Sequence, residues 1–406
     1  MRARSWTIQA IRRYDVSLPF AATGSIADPP LRPHAMPPTS TDRPRVVHVV
    51  PAFFRKEGGI VGGAERYALE LARAMARRVP TSLFSFGPEP ERFAIDDLDV
   101  RIFKATTHVR SKGGNPVSPS LLAALRSSDV IHCHQYRMLF ASLSAAASRL
   151  MGKKVFTSDL GGGAWDISAY VSTDRWFHGH LHISQYSRKL AGKADDPRHG
   201  VIMGGVDTEK FSPDPSVPRG DSALFVGRLV PHKGVIDLVD AVEPGMPLEL
   251  IGQPYNAQYH ADLTKAAEGK DVRFRHDRDD AGIIDSYRRA RVIVLPSVYD
   301  DRYGFRTLVP ELLGQTLLEG MACGTPAICT DVASMPEVVE DGESGFVVPP
   351  NDPAALREKL RFLRDHPDEA ARMGQAARQR VLDLFTWDRV VDRCLDAYAK
   401  AGAPRA

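Results

Sequence analysis

From Arg45 onward the chain alternates short continuous apolar runs with longer segments whose apolar residues recur at helical spacing. "RVVHVVPAFF" is a β-branched run, and "RYALELARAMARR" carries its apolar residues on one helical face. "TSLFSFG", "VRIFKA", "DVIHCH" and "KKVFTSD" predict strands; "SLLAALRSS" and "FASLSAAASRLMG" predict helices; "HLHISQ" and "GVIMGG" close the series. "EKFSPDPSVPRGDS", 209–222, breaks the pattern with three prolines and predicts a linker. A second series follows: strand "ALFVGRLV", helix "VIDLVDAV", strand "PLELIG", helix "YHADLTKAA", strand "VRFRH", helix "IIDSYRRA" and strand "RVIVLPS". Strand "PAICTD" and helices at about 353–364, 368–382 and 386–400 complete it. This alternation predicts an α/β fold of two Rossmann-like, doubly wound domains facing a cleft. Ligands of such sheets bind at the carboxyl ends of the strands.

The length of 406 residues suits two domains. The expected division is an extension at 1–44, an N-terminal Rossmann-like domain at 45–212, a C-terminal Rossmann-like domain at 213–385 and a final helix at 386–406. The extension has seven prolines and no long periodic pattern, so it is expected to be disordered, or to precede a natural start at Met36. A net charge of +3 demands neither nucleic acid nor an anionic membrane. The four cysteines show no C-x-x-C spacing, which predicts buried free thiols in a cytoplasmic protein.

Candidate chemistry gathers in three places. "GGIVGGAERY" opens a helix after the first strand, and Gly62 and Gly63 would let a ligand approach the backbone; the dinucleotide fingerprint G-x-G-x-x-G is absent. In "LFVGRLVPHKG" a strand ends at Gly227, and Arg228 and Lys233 follow, two cations suited to a diphosphate. In "PELLGQTLLEGMACGTP" Glu311 and Glu319 stand with seven residues between them. Pro310 puts Glu311 on a loop, and Gly314 allows a turn. A helix is then expected from Gln315 to Ala322, stopped by Gly324 and Pro326. Loop acid, helix N-terminus and helix acid together suggest hydroxyl clamps flanking an anion site. The ordinary alternatives are solvated surface cations and a glutamate that merely favours a helix dipole.

"GGAERYALELARAM", "GVDTEKFSP", "LFVGRLVPHKG", "RVIVLPS", "ELLGQTLLEGMACGTPAI" and "EVVEDGESGFVVPPND" resemble, in order, the motifs of the retaining glycosyltransferases of family four. The resemblance implies a GT-B fold whose last helix crosses back to the N-terminal domain. It implies Gly63 against the donor diphosphate, Arg228 and Lys233 on its phosphates, and Glu311 on the transferred sugar. Gly314 and its neighbours, Gln315 among them, would lie near that sugar, Glu319 would hold the ribose, and the backbone around His276 would face the base. Two features depart from the family pattern. "VYDDRYGFRTLVP" intervenes before Glu311, and Asp159 stands where many members carry a histidine; Asp159 or His134 could substitute for it.

The implied activity is retaining transfer of a hexosyl or N-acetylhexosaminyl group from a nucleotide sugar, uracil being the favoured base, to a hydroxyl acceptor. The acceptor would be a glycan, glycolipid, cyclitol or natural product. His134 and Trp165 are acceptor candidates. No cofactor and no essential metal are expected; Asp97-Leu98-Asp99 and Asp277-Arg278-Asp279 match D-x-D, a spacing common in loops. A monomer or homodimer is expected, with peripheral membrane contact left open. The rivals are a sugar-nucleotide 2-epimerase and a non-catalytic nucleotide-sugar binding protein on the same scaffold.

Overall fold

The computed structural model describes residues 43–51, 63–110, 115–161, 165–193 and 195–405. The extension before residue 43 and Gly62 lie outside them. The first half holds strands β1 (Val46–Val49), β2 (Thr81–Gly87), β3 (Glu91–Ile95), β4 (Leu98–Lys104), β5 (Thr107–His108), β6 (Pro116–Val117), β7 (Val130–His134), β8 (Lys154–Ser158), β9 (Gly179–His182) and β10 (His199–Val201). Its helices are α1 (Gly63–Ala76), α2 (Pro119–Ala124), α3 (Leu139–Leu150) and α4 (Gln185–Leu190). The second half holds β11 (Ala223–Val226), β12 (Leu248–Ile251), β13 (Val272–Arg275), β14 (Val292–Leu295), β15 (Ala327–Thr330) and β16 (Gly345–Val348). Its helices are α5 (Val235–Ala241), α6 (Ala257–Ala266), α7 (Asp280–Arg289), α8 (Gln315–Ala322), α9 (Met335–Val338), α10 (Pro353–Asp365), α11 (Pro367–Leu384) and α12 (Trp387–Lys400).

Each half is built on one main sheet, and β5 and β6 pair separately as a two-stranded antiparallel sheet in the first half. The first runs β10-β9-β8-β7-β1-β2-β4-β3, parallel except for the antiparallel β3. The second, β13-β12-β11-β14-β15-β16, is wholly parallel. Strands buried on both faces explain the continuous apolar runs: β1, β11, β14 and β15 are buried at every position. β3 is the exception. It lies on the edge with exposed polar residues, so its composition gives no strand signal.

The last helix returns to the first domain. α12 buries Trp387, Val390, Val391, Cys394 and Tyr398, a single helical stripe, and packs on α1. Trp387 stacks edge-on with Tyr67 at 5.1 Å, and a side chain on Gly205 would collide with its ring. The Tyr398 hydroxyl meets His132 Nδ1 at 2.8 Å. All four cysteines are buried free thiols. No helix among the described residues is long and apolar enough to cross a membrane.

Candidate active site

The centre of the site is built at the carboxyl ends of β11 and β14. After β11 the chain turns through Gly227 and Arg228 into a 3₁₀ turn, Pro231–Lys233. Gly234 ends that turn with φ 63°, and a Cβ there would run into the Pro296 carbonyl oxygen, so only glycine fits. The turn is thereby pressed onto the segment after β14, where the Val298 amide donates to the His232 carbonyl at 2.9 Å. This places Lys233 against Glu311. Their side chains form an ion pair, 14% and 10% exposed, and Ser297 Oγ donates to the same carboxylate oxygen at 3.0 Å. A pair this far from water needs both partners, because removing one leaves a buried charge unmatched.

α8 begins directly beyond. Gly314 caps it with φ 82° and no side-chain bond, so the first amides have no intrahelical acceptor and the helix presents its positive end. The helix stops by a Schellman arrangement: Gly324 (φ 75°) donates to the Met321 carbonyl at 2.9 Å and Thr325 to the Gly320 carbonyl at 3.1 Å. Glu319 lies on the buried side of α8, and its Oε2 accepts from the Tyr287 hydroxyl at 2.9 Å. Burial pushes the Glu319 carboxyl pKa up. The charge of Arg66, the Tyr287 bond and the charge of Lys210 pull it back. Arg66 comes from α1, and both cations also reach Asp280, at 3.8 Å and 2.6 Å. Glu319 thus sits beside a charge cluster shared by both domains.

The two domains touch at this loop. Leu312 lies against Gly161, where an added Cβ would be 2.7 Å from its Cδ1, and Leu313 fills the space beside Gly204. Gln315 Nε2 donates to the Gly205 carbonyl at 3.1 Å. Glu337, preceding β16, accepts from the amides of Gln185 and Tyr186 at 2.7 Å and 2.6 Å, closing the first turn of α4 from across the cleft. The leucines of "ELLG" are therefore interdomain contacts. The segment "VYDDRYGFRTLVP" stands beside them as a folded-back loop with Asp300 bridged to Arg306, and its Leu308 carbonyl accepts from the Tyr186 hydroxyl at 3.2 Å.

The remaining expected residues are placed as follows. Arg228 is exposed, its guanidinium 5.9 Å from the Tyr255 ring centre. His276 Nδ1 lies 2.6 Å from the Gly252 carbonyl oxygen, and its own carbonyl is taken by the Gln253 side chain. Gly63 is the first residue of α1, and a Cβ added there would meet no atom of the described residues within 4 Å. Asp159 follows β8; its Oδ1 accepts from the Gly161 amide at 3.1 Å, and burial raises its pKa while that bond and Arg137 lower it. Trp165 packs under Arg110, 4.6 Å from the ring centre, with Tyr170 beside it at 6.3 Å.

His134 is the last residue of β7. It is 1% exposed, so its ring offers an acceptor no surface in this arrangement. It stacks on His132 at 4.6 Å, and its Nε2 lies 2.9 Å from His48 Nδ1. Burial, reinforced by the neighbouring rings, holds its pKa well below the ordinary value. Neither D-x-D pair is free as a unit: Asp99 binds Arg92 and Arg101, each at 2.8 Å, and Asp279 caps α7 by accepting from Gly282 at 2.8 Å. Ser297, Tyr287, Arg66 and Glu337 escaped the sequence reading. Ser297 stands in the quoted "RVIVLPS", and only its position beyond a buried strand hinted at a role.

A cleft between two Rossmann-like domains, with an anion-ready helix end and buried carboxylates, suits an anionic ligand that carries hydroxyl groups. Residues 61–210 match the family model described as Glycosyltransferase Family 4, and residues 207–380 match Glycosyl transferases group 1. The chain belongs to glycosyltransferase family 4 and has the GT-B fold. It is 27% identical over 392 residues to the alpha-maltose-1-phosphate synthase of Mycobacterium tuberculosis, covering 85% of this chain and 97% of that one. It is 25% identical to the GDP-mannose:cellobiosyl-diphosphopolyprenol alpha-mannosyltransferase of Xanthomonas oryzae, covering 89% and 98%. Among solved structures, Anabaena HepE in complex with UDP and glucose superposes with a TM-score of 0.65 at 16% identity, covering 88% and 100%; this likeness concerns the fold.

Proposed function

We propose that this protein transfers a hexosyl group from a UDP-sugar to a hydroxyl acceptor with retention of anomeric configuration. The observation that carries the reading is the Lys233–Glu311–Ser297 cluster at the open end of α8, with Glu319 one turn and a half further on. In this reading Arg228, Lys233 and the α8 amides receive the diphosphate. Glu311 meets the transferred sugar, where positive charge develops as the bond to phosphate breaks. Glu319 binds the ribose. A phosphate oxygen of the leaving diphosphate takes the proton of the attacking hydroxyl, so no protein base and no metal is required. Uracil is supported by the UDP complex of HepE, while the Xanthomonas relative is named for GDP-mannose. Asp159 and Trp165 would face the acceptor.

The two glutamates divide the work, and this is testable. Glu319→Gln should weaken UDP and UDP-sugar binding alike. Glu311→Gln should keep UDP affinity and cut turnover sharply, since its carboxylate acts most in the transition state. Calorimetry with UDP and turnover of both variants decide it. UDP affinity lost in Glu311→Gln but kept in Glu319→Gln would reverse the assignment, and no effect of either would remove it.

A further inference from the structure

A cavity of about 500 Å³ opens at the amino ends of β8, β9 and β10, the end of the sheet opposite the transfer cleft. Arg149 near the end of α3, Arg175, His178 just before β9, Arg198 just before β10 and Ala401 after α12 line it with Phe177. No acidic side chain is among them.

The cations are unequally matched. Arg198 is neutralised by Asp196 at 2.6 Å and Asp174 at 2.9 Å. Arg149 instead has no carboxylate partner: its Nη2 donates to the Arg175 carbonyl at 3.2 Å, and its Nη1 lies 2.8 Å from Nε2 of His178, a ring whose Nδ1 already accepts from the Val155 amide at 3.1 Å. The exposed Arg175 side chain has no hydrogen bond or ion pair among the described residues. The histidine registers the resulting field. Burial first, then the charges of Arg149 and Lys154, bring its pKa down to about 4, so the ring is neutral at pH 7 and adds no positive charge of its own. Two guanidinium forks without carboxylates at one concavity match the geometry of phosphate oxygens.

We infer that this cavity binds a phosphate-bearing ligand through Arg149 and Arg175, at a site separate from the transfer cleft. The phosphate can come from a small phosphorylated metabolite or from an anionic lipid headgroup. Leu150, 91% exposed beside Arg149, is an apolar contact that a lipid surface would bury.

The test uses the full chain. Inorganic phosphate is titrated calorimetrically into the wild type, Arg149→Gln/Arg175→Gln, Arg149→Lys and Lys233→Ala, the last removing a cation of the transfer cleft; circular dichroism verifies folding. The double variant should bind phosphate about tenfold more weakly or worse, Arg149→Lys should keep part of the affinity, and Lys233→Ala should keep the arginine site. Co-sedimentation with phosphatidylcholine vesicles, with and without phosphatidylglycerol, identifies the source. Binding to the anionic vesicles that the double variant loses assigns a lipid headgroup; phosphate binding without vesicle binding assigns a free metabolite. Equal phosphate affinity in the wild type and the double variant would overturn the inference, as would a wild type that binds neither phosphate nor vesicles.

Discussion

At the residue scale, the site turns on one lysine with two duties. Lys233 matches the buried Glu311 carboxylate, and in the proposed reading it also meets a phosphate with Arg228. Replacing Arg228 by Ala should weaken UDP binding by about 1.5–3 kcal/mol, the scale of a charged hydrogen bond, and leave stability unchanged because the side chain is exposed. Lys233→Ala should weaken UDP binding similarly and also lower stability, by up to about 3 kcal/mol, because Glu311 keeps only Ser297. Calorimetry with UDP and urea denaturation of both variants check this; unchanged UDP affinity in both would contradict the diphosphate assignment. Sequence spacing could bring these residues to the same cleft but not into contact. Lys233 and Glu311 lie 78 positions apart, and their pairing depends on how Gly234 seats its turn against Pro296.

At the element scale, β1 and β7 carry a stack of buried histidines. His48 pairs in register with His132, and His134 follows on the same face. Burial lowers the His48 pKa to about 3, from an ordinary 6.5. Below pH 6.5 the unfolded chain takes up a proton that the folded chain refuses, so this stability is complete above pH 6.5 and lost as pH falls toward 3. For His48 alone the loss between pH 7 and pH 5 is about 2 kcal/mol. Urea midpoints at the two pH values should differ accordingly, with the lower midpoint at pH 5; equal midpoints would contradict neutral burial. Elements with strong periodicity were legible before the structure: β1, β11, β14 and α8, the last with its glycine stop. The edge strand β3, the two-residue β5 and β6, the six-residue α4 and the four-residue α9 were not, because segments so short or so polar hold no readable period. The burial of His134 was not readable in the sequence because it is set by rings on two paired strands: His48 of β1, 86 positions earlier, and His132 of its own strand.

At the scale of the whole molecule, the two domains meet through the loop that carries the candidate chemistry. Leu312 and Leu313 press on Gly161 and Gly204, Gln315 reaches Gly205, Glu337 holds the start of α4, and α12 ties the second domain back onto α1. In the proposed reading, a donor bound at α8 would be faced directly by the segments after β8 and β10, where an acceptor hydroxyl would sit to attack it. Domain contact, helix end and buried acids form one device under this reading, and its output is a glycosidic bond of defined hand. The most direct test is to follow a ¹³C-labelled α-linked UDP-hexose by NMR with a panel of hydroxyl acceptors. The account predicts release of UDP together with an α-linked product, unaffected by EDTA. A β-linked product, an altered free sugar formed without acceptor, or no UDP release with any donor and acceptor would contradict it.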